Sequence, residues 1–452
     1  MKRFLHILQI TMLFLSSAIA AFATNEGNAQ MSLHDCMSYA ISHSTQMRIE
    51  AADRNDERWQ RRQAILQSFT PSIDAQTYAR YDFGRKPDPA TNTYSMETTF
   101  NNYYSIGAQL TLFDGFKTIN NVRMTKIAAR MGKSQEQQQL DKICLATLEA
   151  YCNVLYYAEL SSVLEKQVTT AQSARDKALR QEELGQKGHA EVVHMESELA
   201  QKQYQLISAR NQYSDAVMTL KDVMFWPAED DLVVANSLEC SDISSFSTAD
   251  IAESAKAELP SAELALEQVN RAATDLKLAK GEYSPSLYFS AGWGTSYFTY
   301  PSKKDQEMDS FSSQLKNNAG EYIQFVLNIP IYDQLRRQTN VRAKKNALIR
   351  AEARFDKTMR DIEIEVTKAV NDYHGAQVAF IQAEKMADVQ KEAYDLSSKQ
   401  LEAGLISAIE YQTASQNYLN AMAERMNALL KLKIKISVVR YYQGESYIDQ
   451  NL

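Results

Sequence analysis

Apolar and polar residues alternate in four short stretches of the chain. In the first, Ile73, Ala75, Thr77, Ala79, Tyr81 and Phe83 oppose Ser72, Asp74, Gln76, Arg80 and Asp82; in the second, Ile106, Ala108, Leu110 and Leu112 oppose Ser105, Gln109 and Thr111. The third sets Leu287, Phe289, Ala291, Trp293 and Tyr297 against Ser290, Gly292, Gly294 and Ser296. The fourth sets Ile323, Phe325, Leu327, Ile329 and Ile331 against Gln324 and Asn328. A period of two gives a strand one apolar face, which predicts strands over about 71–83, 103–113, 285–297 and 321–331. About 9–11 tilted residues cross a bilayer, and these runs have that reach. A soluble β-sandwich with one wet face shows the same alternation. The polar stretches between paired strands, Gly84–Thr99 and Phe298–Gly320, read as external loops.

The pattern then changes period. The interval from Asp114 to Gly185 contains no proline, and neither does that from Asp333 to Gly404. Uninterrupted helices over about 115–184 and 334–403 follow, each on the order of 100 Å long at 1.5 Å per residue. The returning segments, about 190–226 and 408–441, carry packing stripes. In the first, Val192, Met195, Leu199, Leu206, Ala209, Tyr213, Ala216, Leu220 and Val223 occupy a and d positions, with Lys202 the exception. Leu419, Met422, Met426, Leu429 and Ile436 trace the stripe of the second. Glycine at 185 and 404 suits a left-handed reversal between a helix and its partner.

Two copies of one plan explain this. An offset of 219 residues, the distance from Phe113 to Tyr332, also lays Asn121-Val122-Arg123 on Asn340-Val341-Arg342, Gln181 on Gln400, Gly185 on Gly404 and Glu191 on Glu410. The expected organisation is a signal peptide at 1–23, a first repeat at 24–226, a linker at 227–259, a second repeat at 260–443 and a tail at 444–452. Each repeat holds a leading helix, two strands and two long helices.

The N-terminus fixes the compartment. Lys2 and Arg3 precede an apolar run that ends at Ala21-Phe22-Ala23, a secretory cleavage pattern without a lipidation cysteine. No later run approaches the roughly 20 apolar residues of a spanning helix. Only 14 glycines and 8 prolines among 452 residues agree with long helices. The net charge of −7 and the absence of a basic, aromatic-interleaved cluster argue against nucleic acid. Cys36, Cys144, Cys152 and Cys240 lack C-x-x-C spacing and read as buried thiols. Candidate chemistry is sparse. Gly132-Lys133-Ser134 lacks the first glycine of a phosphate loop, and Glu191 with His194 gives a single E-x-x-H where a di-iron bundle needs two. No cofactor, metal or enzyme activity is expected.

Four strands cannot close a barrel in lipid, where open edges are not tolerated. Two copies would supply eight strands and a filled interior; three supply twelve and leave a channel. The reading is therefore a mainly α protein with four membrane strands per chain, joining a trimeric 12-stranded β-barrel continued by a 12-helix tube. An exported trimeric coiled-coil surface protein is the competing class.

This order of parts resembles the TolC family of trimeric outer-membrane ducts. The residues that carry the resemblance are "SLHDCMSYAISHS" (32–44), "TPSIDA" (70–75) with "SPSLYF" (284–289), "LTLFDG" (110–115) with "LNIPIYD" (327–333), and the tips "LGQKGHAEV" and "AGLISAIEY". It covers essentially the whole mature chain. The resemblance implies an outer-membrane efflux or type I secretion duct in a Gram-negative bacterium, with a long periplasmic extension. Its implied partners are two further copies, outer-membrane lipid, a periplasmic adaptor and an inner-membrane RND or ABC pump. Carried over by position, Leu184, Gly185, Gly404 and Leu405 become adaptor-docking tips, and Glu191 with Glu410 an acidic constriction. The chain departs from the family at Thr413, where a second acidic position lies, and at Leu401 and Ile406, where the best-known members carry an aromatic and a basic lock residue.

Overall fold

The computed structural model describes residues 30–87, 92–235, 247–301 and 308–450. The expected signal peptide and Cys240 fall outside them. In chain order the elements are α1 (Leu33–His43), α2 (Thr45–Phe69), β1 (Ser72–Pro87), β2 (Tyr94–Phe113), α3 (Lys117–Glu183), α4 (His189–Met224), α5 (Thr248–Glu258), α6 (Pro260–Gly281), β3 (Ser286–Thr299), α7 (Phe311–Asn317), β4 (Gly320–Asn328), α8 (Arg336–Glu402) and α9 (Ala408–Tyr442), followed by a short 3₁₀ turn at Tyr447–Asp449. Among the described residues no helix is long and apolar enough to cross a membrane. The fold of the described residues is mainly helical with one four-stranded antiparallel sheet.

The chain divides into two compact units, and each draws on both repeats. One comprises 48–138 and 252–364 and contains the sheet, ordered β1-β2-β3-β4. Its ladder runs from Ser72 opposite Gln109, through Gly107 opposite Gly292, to Gly292 opposite Tyr322. Tyrosines lie over Gly292 and Gly294: a Cβ at 292 would meet the Tyr322 ring at 2.7 Å, and one at 294 the Tyr103 hydroxyl at 2.6 Å. All nine residues of β4 are exposed, among them Ile323, Phe325 and Leu327.

Three strand limits differ from the alternation. The expected loop Gly84–Thr99 is largely strand, since β1 runs to Pro87 and β2 starts at Tyr94. Cross-strand aromatics extend the ribbon where apolar alternation has faded: Tyr81 packs on Phe100 at 4.8 Å, and the Arg85 guanidinium sits 5.8 Å from the Tyr94 ring centre. Conversely β4 stops at Asn328 and excludes Ile329 and Ile331, because Pro330 has no N–H to give a ladder. The second expected loop contains α7, anchored by Gln314, whose Oε1 accepts from Phe298 N–H at 3.0 Å and whose Nε2 donates to Phe298 O at 3.1 Å.

The other unit comprises 1–47, 139–251 and 365–452. α1 opens on a capping box in which Ser32 and Asp35 satisfy each other's backbone N–H. Its buried Cys36, Met37 and Ala40 enter two apolar clusters, one with Tyr151, Val154 and Leu220, the other with Leu148, Leu430 and Tyr447. Cys36, Cys144 and Cys152 are free and buried, and burial pushes each thiol up to about 12. Such thiols are inert at neutral pH. α5 lies inside the stretch read as a linker.

Candidate functional site

Two helix reversals carry the sequence-derived site residues, and both belong to the second unit. At the end of α3, Gln186 N–H donates to Gln181 O at 2.8 Å and Gly185 N–H to Glu182 O at 2.8 Å. At the end of α8, Leu405 N–H donates to Gln400 O at 2.9 Å and Gly404 N–H to Leu401 O at 3.1 Å. Both are Schellman caps closed by a left-handed residue, with φ of 67° at Gly185 and 71° at Gly404. A Cβ at either glycine would meet nothing within 4 Å, so φ alone demands glycine there. Beside them Leu184 and Leu405 stand 70% and 75% exposed. An apolar side chain on a turn tip gains nothing from that place in a lone chain.

The two tips restart their helices with different chemistry. In the second repeat Ser407 caps α9: its Oγ accepts from Glu410 N–H at 3.3 Å, and Glu410 Oε2 accepts from Ser407 N–H at 2.8 Å. In the first repeat the N-cap is Gly188, which has no side chain to offer. Ionic groups hold this tip instead. Lys187 Nζ donates to Glu191 Oε1 at 3.0 Å, and His189 Nδ1 lies 2.9 Å from Glu182 Oε1. Sequence reasoning singled out Glu191 without its cation. Lys187 precedes it by one helical turn, which is the signal that identifies it.

A groove of about 220 Å³ runs beside the tips, lined by residues that include Lys177, Gln181, Lys187, Glu191, Leu401 and Tyr411. Glu191 therefore opens into it, while Glu410, Leu184, Gly185, Gly404 and Leu405 lie outside its lining. Leu401 packs against a cluster of Ala178, Val192, Met195 and Ala408. Deeper, the buried Tyr411 hydroxyl is 3.2 Å from that of Tyr394, and burial holds it well above the ordinary tyrosine range.

Between this cluster and the next, made of Val163, Leu164, Ala209 and Leu419, lies a buried polar layer. Lys202, the exception in the α4 stripe, is 2% exposed, as are Glu198 and Ser415. Lys202 Nζ donates to Gln416 Oε1 at 3.4 Å. Burial raises the Glu198 carboxyl, opposed by the Lys202 charge and a hydrogen bond from Ser415; burial lowers Lys202, opposed by Glu198. Gln167 on α3 is buried with neither amide atom partnered. Among the described residues no grouping of His, Cys, Asp or Glu could hold a metal ion.

The chain matches the family model described as outer membrane efflux protein over residues 37–224 and 251–440. No curated protein sequence matches it significantly. Among solved structures it is similar to the Campylobacter jejuni CmeC outer membrane channel, with 15% identity, TM-score 0.73 and coverage of 95% of this chain and 92% of that one. It is also similar to the open state of the Neisseria gonorrhoeae MtrE outer membrane channel, with 14% identity, TM-score 0.74 and coverage of 93% and 90%. A membrane protein from Pseudomonas aeruginosa gives 13% identity, TM-score 0.74 and coverage of 93% and 91%.

Proposed function

The chain belongs to the outer membrane efflux protein family and is an outer-membrane efflux channel component; from that premise we propose that three copies assemble into one continuous duct. The carrying observation is the sheet. Its order leaves β1 and β4 as open edges, and β4 exposes all nine residues, apolar ones included. Neither edge is tolerable in lipid. Antiparallel pairing of β4 in one copy with β1 of the next removes both, and three copies close a twelve-stranded barrel wide enough for a lumen.

The helices then continue the lumen as a tube whose entrance is formed by the tips. Leu184, Gly185, Gly404 and Leu405 serve as the docking surface for a periplasmic adaptor coupled to an inner-membrane pump of the RND or ABC class. Exposed leucines beside a rigid cap support that role. Glu191 and Glu410 from three copies form an acidic narrowing that favours cations. Glu191 shares its charge with Lys187, so Glu410 carries more of the effect. The duct is passive, and substrate passes through it to the outside.

Native mass measurement of the full chain extracted in detergent tests the assembly. A trimer is the expected result; a monomer or a dimer overturns the barrel closure.

A further inference from the structure

The four strands share one apolar face, and following that face to its end leads to a groove. The register sets Ile73 opposite Ala108, Ile106 opposite Trp293, Leu110 opposite Phe289 and Phe289 opposite Phe325. Ser105, Gln109, Ser290 and Gln324 fall on the other face. Near the end of β2 the ladder skips Leu112, so that Phe113 opposes Leu287. A bulge of this kind re-aims a side chain, and here it brings Phe113 to the apolar face. Leu112 and Phe113 both line an open groove of about 430 Å³ between the end of α2 and the start of α3. All of its lining residues belong to one compact unit.

The groove changes character along its length. Phe69, Leu112, Phe116 and Ile119 give one end an apolar wall, in which Phe69 and Phe116 stand 78% and 60% exposed and Phe113 meets Phe116 edge-on at 5.4 Å. Arg123 and Lys126, both exposed, line the other end. Ile119 and Lys126 are about 10 Å apart along the helix axis. Arg123 Nη1 donates to Asn120 Oδ1 at 3.1 Å, which steadies the guanidinium. Among the described residues neither cation has a carboxylate partner. The one carboxylate on the lining, Asp114, is turned to the helix start, where its Oδ2 accepts from Thr118 N–H at 2.9 Å. It does not neutralise the basic end.

The second repeat shows the same place filled. The offset of the long helices lays Thr118 on Arg337, and the distance from Pro71 to Pro285 lays Phe69 on Tyr283. Arg337 is buried, with its guanidinium 5.3 Å from the Tyr283 ring centre. Its Nε donates to Asp333 Oδ2 at 2.8 Å and its Nη1 to Pro330 O at 3.0 Å. Thr118 is too short to do this, so in the first repeat the space stays open. The basic pair beyond it is kept in both copies, as Arg123 with Lys126 and Arg342 with Lys345. We propose that the open groove holds one phospholipid of the periplasmic leaflet, an acyl chain lying along Phe69, Leu112 and Phe116 and the phosphate between Arg123 and Lys126. Aromatic and basic side chains where a strand leaves the bilayer sit at headgroup depth. Two unpaired cations favour a headgroup of net negative charge. The assignment rests on the membrane reading above and adds a resident lipid to each copy.

Native mass spectrometry of the full chain, extracted in detergent and stripped of co-purified lipid, tests this by titration with dioleoylphosphatidylglycerol or dioleoylphosphatidylcholine. Trimers should retain one phosphatidylglycerol per copy and hold it more tightly than phosphatidylcholine. Arg123→Gln with Lys126→Gln should weaken phosphatidylglycerol roughly thirtyfold and erase the preference. Thr118→Arg, which copies the chemistry of Arg337, should fill the groove and abolish tight binding of either lipid while the trimer persists. Inorganic phosphate should not displace the lipid, because it gains nothing from the apolar end; displacement at equal concentration would make this a free-phosphate site and overturn the assignment. Trimers whose lipid retention is the same in the parent and in both variants refute the site and leave the duct standing. Monomers refute the barrel closure, and the lipid assignment with it.

Discussion

The buried pair Glu198 and Lys202 offers a sharp test of how the α4–α9 packing is built. Both groups are 2% exposed, and apolar clusters lie on either side of them along the helices. Lys202→Met leaves the Glu198 carboxylate buried with only the Ser415 hydroxyl to satisfy it. Stripping one partner from a buried pair costs about 3–5 kcal/mol, whereas replacing both by apolar residues is neutral or stabilising by about 1–4 kcal/mol. Lys202→Met should therefore speed hydrogen exchange of local α4 and α9 amides by roughly a hundred- to a few thousand-fold, and Glu198→Leu with Lys202→Met should restore or exceed the parental protection. The pH dependence has a definite sign. Burial raises the Glu198 carboxyl above its ordinary 4.5, so protonation favours the folded state, and that contribution is lost as pH rises through the folded value. The penalty of Lys202→Met should accordingly shrink as pH is lowered. Single and double variants exchanging at the same rate would refute the reasoning, because the two groups would then be energetically independent.

Gly404→Val should cost at least the roughly 1–2 kcal/mol of a left-handed L-residue and weaken adaptor crosslinking, while the trimer survives because the strands belong to the other unit; Gly404→Asn, measured by the same chemical unfolding, should cost less. Glu410→Gln with Glu191→Gln should abolish cation preference and divalent block in planar-bilayer recordings, with Glu410→Gln alone causing the larger share, since Lys187 already offsets Glu191 at 3.0 Å. Unchanged selectivity in the double variant would leave both carboxylates as helix-start residues only. The Ser32 hydrogen bonds hold the Asp35 carboxyl below its ordinary 3.8. The α1 cap should therefore be intact above that value and fray as pH falls below it, a loss that Ser32→Ala reproduces at neutral pH in α1 amide exchange.

Elements with a strict period were legible from the sequence. The long helices α3 and α8 lie within a few residues of their expected limits, and the glycine reversals fall at 185 and 404. What escaped notice was set by contacts that periodicity does not encode. The ribbon beyond Phe83 is held by Tyr81, Phe100, Arg85 and Tyr94, whose pairing appears only once the register is known. The lining of Gly292 and Gly294 by Tyr322 and Tyr103 depends likewise on which residues face each other across strands. Lys202 reads as a defect in a heptad seam, although Glu198 precedes it by four residues, because the acceptor of its hydrogen bond, Gln416, stands 214 residues away. At the candidate site, the tip glycines and carboxylates were visible from the repeat, but the Lys187 and His189 pairings at the first tip were not.

The same duplication that made the fold readable also explains where the copies had to diverge. Two identical repeats in one chain would make every seam around a closed ring equivalent, and the chain would have no preferred place to begin or end. Gly115 and Gly281 allow a backbone crossing that any side chain would block, and Arg130 with Glu267 adds an ion pair to it. Both features occur on the seam inside the chain. Their counterparts Gln334, Gln67, Ile349 and Asp53 stand exposed. A tight internal seam favours folding of one chain as a unit before copies meet. Outer surfaces without that crossing or that ion pair suit helices that must remain apart until the strand edges pair in lipid.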